Sequence, residues 1–462
     1  MTFSPEVADI RFGCGLSPLI APTRSAEALL EGLHGQDTMR SAFPIETFDV
    51  FLQRTAAFQR FSLQIRKEKN TAKAEALFKK RQKLNRDARN AMTRWFSQTV
   101  LRWTYTEHGF RERLAFFWAD HFTAHGRSGV LRRATSPFVE DAIRPNIATT
   151  FADLLIAAVT HPLMLHYLNQ NRSVGPNSPV ISKNRGLKGL NENLAREVLE
   201  LHTLGVDGPY SQNDVRQLAE LFTGMTFRPD AGFRFNKSFV EPGAETVLNK
   251  TYESVTPSIK PIHAVLRDLA AHPATARHIA WKLAVHFVSD TPDAGLIDHL
   301  TARYLETGGA LAPLYAALLE HPAAWDDRLQ NVKPPADYVA SACRTLQVSS
   351  EGLRALKPKQ QRRHLLQPLT LMGQIWQTPP GPDGWPEEDA AWLTPQGVAA
   401  RMHWAMTAPR TLLNQSLPDP RQFVTDALGS RARDAVRFAA RAAESRPEAI
   451  GLVLASPAFQ RR

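Results

Sequence analysis

LNENLAREVLELHTL, residues 190–204, followed by Gly205, decides the fold class. At about 100° per residue, Leu190, Leu194, Val198 and Leu201 form one stripe continued by Leu204, the signature of an amphipathic helix. Glu192, Arg196 and Thr203 share the opposite, solvent-type face. Glu197 falls between Leu201 and Leu204 around the axis, with Asn193 and Glu200 flanking it at spacings of four and three. A carboxylate carried into an apolar face must be paired, ligate a metal or take up a proton, because an isolated buried charge costs several kcal/mol or more. His202 lies near Val198 and Ala195, at the other edge of the buried side, and Gly205 suits a C-terminal cap.

Outward from this helix, most of the chain reads the same way. Helical patterns dominate and no repeat of fixed period emerges, which predicts an all-α, bundle-like assembly with long ordered loops and at most a minor β-hairpin. The whole of 1–462 reads as one unit, divisible into an N-terminal helical part over 1–170, a central part over 189–346, and a Pro/Trp loop with C-terminal helices over 347–462. With 43% hydrophobic and 22% charged residues, the composition excludes disorder. No run approaches the roughly 18 apolar residues of a transmembrane span. The start, MTFSPEVADIRFGCGLSPL, has neither a basic nor an apolar signal region, so a cytoplasmic location is expected. Two remote cysteines, Cys14 and Cys343, read as ordinary thiols.

The net charge of +11 is concentrated. Residues 54–94 hold thirteen Lys or Arg and three acids, 13 − 3 = +10, on what reads as one basic helix. Such a helix could touch nucleic acid or an anionic surface, or be simply solvated; no aromatic residues interleave its densest basic run.

Residues 111–125, RERLAFFWADHFTAH, read as a helix with Leu114, Trp118, His121 and His125 on one face. Two His at i and i+4 can chelate one ion, although the intervening Glu of the zinc proteases is absent. Residues 169–189 read as a polar surface linker, and Ser211 with Asp214 as a capping box. Residues 225–258 suggest irregular loop or a short hairpin, and Pro273 opens a helix on which Ile279, Leu283 and His286 share a face while Arg277 and Lys282 lie elsewhere. Residues 367–395 look like an ordered loop pinned by aromatic residues.

Four readings of the site follow. In the first, His121, His125, Glu197 and His202, with Glu200 available, hold a divalent transition metal (Zn, Fe or Mn) for hydrolytic or oxidative chemistry. In the second, Glu197 is a buried ion-pair partner of Arg144 or Arg277 and the protein is a scaffold, with Asn193, Arg196 and Trp118 in structural roles. The third is nucleic-acid binding through residues 54–94. The fourth is metal-free acid–base catalysis by Glu197 and His202.

Several phrases also line up with one bacterial family: RFGCGLSP, RERLAFFWADHF, NENLAREVLELHTLGVDGPYSQNDVRQLAELFTGMTF, HPATARHIAWKLAVHFVSD, PPGPDGW and LASPAFQRR. In this order they resemble the domain of unknown function 1800 family over essentially the full chain. The resemblance implies a helical fold, a periplasmic alternative for location, and a partner in the sulfatase-like product of a neighbouring gene. It marks Trp118, His121, Asn191, Glu192, Asn193, Arg196, Glu197, Glu200, His202, Thr203 and Gly205 as motif positions. The chain departs from the family pattern at Val240 and Glu245, where members often carry His and Lys.

Overall fold

The computed structural model describes residues 3–68, 71–183, 189–413 and 417–462, with backbone alone at 182 and 183. Helices dominate, and the described strands are two small antiparallel pairs, β1 (Met225–Arg228) with β2 (Gly232–Phe235) and β3 (Glu245–Val247) with β4 (Lys250–Tyr252). The Ser211/Asp214 capping box forms as expected, and Pro273 stands at the first turn of its helix.

Five helices carry the architecture: α1 (Phe48–Lys67), α2 (Ala72–Tyr105), α3 (Gly109–His121), α4 (Pro273–Phe287) and α5 (Pro335–Thr345). The expected single basic helix over 54–94 is therefore two helices packed against each other, with Lys69 and Asn70 of that stretch outside the described residues. Thr71 starts the second by accepting a hydrogen bond from Ala74 N–H, a cap that an uninterrupted helical projection overlooks. Helix α2 serves two cores. Ala88, Ala91 and Trp95 join a large apolar cluster running from Val7 to Trp325, while Phe96, Val100, Leu101 and Trp103 join a second built mainly by residues 336–459.

Buried arginines fasten the loops. Arg11 donates to the carbonyls of Ala324 and Asp326, and Arg344 to those of Gly15, Trp103 and Thr106. Each satisfies carbonyls that helix ends and turns leave without partners. Arg102 pairs with Glu140, and Arg144 with Glu112 and Asp37, so Arg144 is not available to Glu197. Arg277, the other expected partner, pairs with Asp298 on the surface.

At the centre of the ionic network Asp337, fully buried, accepts from Arg113 Nη1 at 2.6 Å and Arg462 Nη1 at 3.2 Å. Burial alone would raise its carboxyl; Arg113, Arg462 and Lys333 outweigh burial and hold it below the ordinary range. Arg113 also donates to the Gly13 carbonyl. One carboxylate thus joins helix α3, helix α5 and residue 462.

The stretch expected to be a surface linker behaves otherwise. Gln170, Ser173 and Ser178 are buried, and Gly175 N–H donates to the Phe239 carbonyl; residues 184–188 of that stretch lie outside the described ones. Part of its polarity is spent on internal hydrogen bonds, such as Gln170 to the Phe222 carbonyl and Asn177 to Glu241.

Replacing Asp337 with Ala strands the cations of Arg113, Arg462 and Lys333, and we expect a loss of about 3–5 kcal/mol in urea unfolding. Because the folded carboxyl titrates low, its stabilisation is present above the ordinary carboxylate range and is lost as pH falls through the folded value. A wild-type melting temperature that falls no faster on acidification than that of Asp337→Asn would contradict this.

Candidate functional site

Helix α3 ends at His121, four residues earlier than the sequence suggests. Phe122 leaves helical geometry (φ −100°, ψ 48°), and Thr123 donates both its N–H and its hydroxyl to the Asp120 carbonyl, closing the last turn. His125 therefore does not continue the His121 face. Its ring packs on Tyr167, centroids 4.5 Å apart, while His121 packs among Phe117, Trp118 and Phe122. Trp118 is fully buried, and its indole N–H donates to Tyr315 Oη at 2.6 Å, which donates onward to the Ile147 carbonyl.

The central helix also departs from its projection. Residues Asn193–Glu197 are α-helical, and Val198–Thr203 form a π-turn in which Leu204 N–H reaches the Leu199 carbonyl. The wider turn rotates every later side chain. Thr203, expected in solvent, is fully buried with its hydroxyl on the Val198 carbonyl, and Leu201 is only partly buried. Single π-turns inside helices often mark functional sites. On the outer face Arg196 bridges Glu192 and Glu200, and exposed Asn193 donates its N–H to the Asn191 side chain.

The turn brings His202 to His121, with centroids 6.0 Å apart, and His121 donates Nε2–H to the His202 carbonyl. His278 of α4 completes the group, 6.3 Å from His121 and bonded to the Leu201 carbonyl. Burial, with the positive charge of Lys282, pushes all three down, to about 3 for His202 and about 4 for His278. They are neutral imidazoles at ordinary pH. Among the described residues, both ring nitrogens of His202 and Nδ1 of His121 have no hydrogen-bond partner. Among the described residues, no three His, Cys, Asp or Glu side chains gather to hold a metal ion.

The carboxylates are gathered elsewhere. Glu197 is partly buried and makes no ion pair among the described residues, and burial, with Glu200 and Asp383, pushes it up to about 7. Asp120, in the last turn of α3, accepts the Trp385 N–H on both oxygens, at 3.2 and 3.1 Å. Burial, then the charge of Glu387, raise Asp120 to about 7 against the pull of Lys282 and that hydrogen bond. The approach needs Gly384: with φ +89°, a Cβ there would stand 2.5 Å from Asp120 Oδ2. Asp383, one residue before, acts electrostatically on Asp120, Glu197 and Tyr167 alike.

Glu387 closes this side, accepting from His286 Nδ1 at 2.8 Å. Burial alone would raise it; His286, Arg462 and Lys282 reverse this and hold it at about 2. Along α4, His278, Lys282 and His286 recur every fourth residue, so Lys282, expected away from the His286 face, lines the site with it. Asp120, Lys282, Asp383 and Glu387 were missed from sequence. The recoverable signal was an acid inside the aromatic run WADHF and the 278, 282, 286 spacing. Nothing local links PDGW to residue 120.

An α-helical protein with a cluster of neutral histidines beside two high-titrating carboxyls is the class that this geometry defines. Residues 11–461 match the family model described as "Protein of unknown function (DUF1800)", and the chain belongs to that family. No match is found among curated proteins or among solved structures.

A carboxyl that titrates near 7 when folded and near 4 when unfolded binds more protons in the native state between those values, so its contribution to stability falls as pH rises through about 7. Asp120→Asn keeps an oxygen for the Trp385 N–H and removes that charge. It should match wild type in stability below about pH 4 and exceed it by about 1–3 kcal/mol at pH 8. Chemical unfolding at the two pH values checks this; a destabilised variant at pH 8 contradicts it.

Proposed function

We propose that the protein is a metal-free acid–base enzyme in which Asp120 is the proton donor to a bound substrate and Glu197 a second proton-transfer group. The observation that carries this is the Asp120 carboxyl, clamped by Trp385 N–H and raised to about 7 at the wall of a small cavity of about 40 Å³. A general acid works best with a pKa near the operating pH, and high-titrating carboxyls collect at active sites. Lys282, reaching both Asp120 and Glu387 electrostatically, supplies a fixed positive charge beside the donor.

The metal-assisted alternative needs Glu197 with His121, His125 and His202. His121 spends Nε2–H on a carbonyl, and His125 sits on Tyr167, so the donors are dispersed. His202, held neutral and buried among Phe122 and His121, is a packing residue rather than the base. Glu200 is the ion-pair partner of Arg196.

On para-nitrophenyl esters and glycosides, turnover should titrate near pH 7, resist chelators and fall about 10²-fold or more in Asp120→Asn. Wild-type rates in Asp120→Asn, or loss of activity with a chelator and recovery with Zn, would sink the reading.

A second reading is carried by the basic hairpin. Along α1 and α2, Arg66, Lys67, Lys79, Lys80, Lys83 and Arg86 are exposed, beside exposed Leu63 and Phe78. Exposed charge and apolar side chains on one helix pair suit an anionic surface. Retention on phosphatidylserine vesicles or on duplex DNA should fall steeply with salt and disappear in Lys79→Glu/Lys80→Glu/Lys83→Glu. No retention on either at low salt rules it out.

A further inference from the structure

We infer that the acidic cavity beside the β3–β4 pair binds a small alkyl diamine, taking one ammonium group on Glu241 and Glu245 and laying the methylene chain on Phe235 and Val240. The site shares no lining residue with the cavity beside Asp120 and stands independently of the acid–base reading.

The fold gathers four carboxylates around one space. Glu220 comes from the last turn of the helix Gln212–Leu221, Glu241 from the loop before β3, Glu245 from the start of β3, and Glu253 from the residue after β4. The helix holds the strand pair in place, with Gln217 accepting the Thr246 N–H at 2.9 Å and Asp214 the Leu248 N–H at 2.8 Å. The cavity that these segments enclose measures about 190 Å³. A protein cavity of about 150 Å³ already accepts benzene, so a ligand of about six to eight heavy atoms fits.

Among the lining residues there is no Lys, Arg or His. Glu220 has exposed Arg216 as a partner, at 3.1 Å. Glu241 accepts the Asn177 N–H at 2.8 Å and its side-chain amide at 2.5 Å, neutral donors that leave its charge standing. Glu245 is the unanswered group. Only 6% exposed, it has its own backbone N–H for a hydrogen bond and no side-chain partner among the described residues. Burial, then the charges of Glu220 and Glu241, push it up to about 7. A buried carboxylate facing two others calls for a cation, and the cavity wall supplies none.

The walls favour an organic cation over a metal ion. Among the described residues, no three His, Cys, Asp or Glu side chains gather to hold one. Phe235 and Val240, both partly buried, and buried Leu221 set apolar faces between the acids. Aromatic and aliphatic surface beside carboxylates suits an alkylammonium, whose charge sits at its end and whose stem is apolar. Exposed Glu253 stands where the cavity opens and offers a further carboxylate to a second ammonium group.

Putrescine, cadaverine and hexamethylenediamine, titrated into the full chain by calorimetry at about pH 8 with calcium chloride and Nα-acetyl-lysine methylamide in parallel, test this. At least one diamine should bind with a Kd below about 1 mM and raise the melting temperature. Glu245→Gln, similar in shape and uncharged, should weaken that binding about tenfold or more. It should also raise the melting temperature of the ligand-free chain, because a carboxyl with a raised folded value is destabilising above that value. A folding defect would lower it, and a second variant then carries the test. Val255→Lys, at a fully exposed lining position, sets a competing ammonium at the opening and should weaken diamine binding with the core untouched. Binding of no diamine, or unchanged affinity in a folded variant, overturns the inference. So does tighter binding of calcium, which makes the cavity a metal site, or of the lysine derivative, which assigns it to a lysine of a protein partner.

Discussion

A carboxylate with no exposure to water has to be neutralised from within, and Asp337 is neutralised by residues drawn from distant parts of the chain. Arg113 reaches it from α3, Arg462 from the last residues, and Lys333 acts from the segment before α5. Desolvating such a group costs several kcal/mol per ion, and only close pairing with further hydrogen bonds recovers it. The network therefore specifies one arrangement of these segments more than it adds to net stability. Arg113 spends its remaining donors on the Gly13 carbonyl and lies over the Trp103 ring, so the helix that it belongs to is fixed at both faces.

The same helix carries the site. From Arg113, α3 runs two turns to Asp120, where its carbonyl-rich end meets the Pro-Gly-Trp loop. The negative pole of a helix is an unfavourable place for a carboxylate, and it acts in the same direction as burial and Glu387 in favouring the protonated form. Arg462 touches both ends of this arrangement, hydrogen-bonding Asp337 and lying 3.9 Å from Glu387. Structural ion pairing and site electrostatics are thus one network, and the charge of Glu387 that raises Asp120 is itself held by Arg462 and His286.

Hydrophobic periodicity carried the helices over most of the chain, because a 3.6-residue stripe is a local property that burial then confirms. Ser211 with Asp214, and Pro273, also act through neighbours two or three residues away, and each appears where expected. The failures share a cause. One extra residue in the turn Val198–Thr203 rotates Thr203 inward and Leu201 outward, and one hydroxyl, that of Thr123, helps end α3 before His125. A constant angle per residue cannot register either event. Arg144 and Arg277 were sound partners for Glu197 by charge alone, yet Glu112, Asp37 and Asp298 lie closer in space.

By itself the sequence determined the helical class, the family, the concentrated charge of residues 54–94, and Glu197 as a carboxyl out of place, since each follows from residue type and spacing along the chain. Only the tertiary structure decided that the basic stretch folds back on itself, that His121, His202 and His278 pack together, and that Asp120 rather than His121 lines the cavity. Those outcomes depend on contacts between residues far apart in sequence, such as 120 with 385 and 286 with 387, and on how much water each contact excludes. A titratable group's behaviour is set by that exclusion and by its neighbours' charges, and neither is written in local pattern.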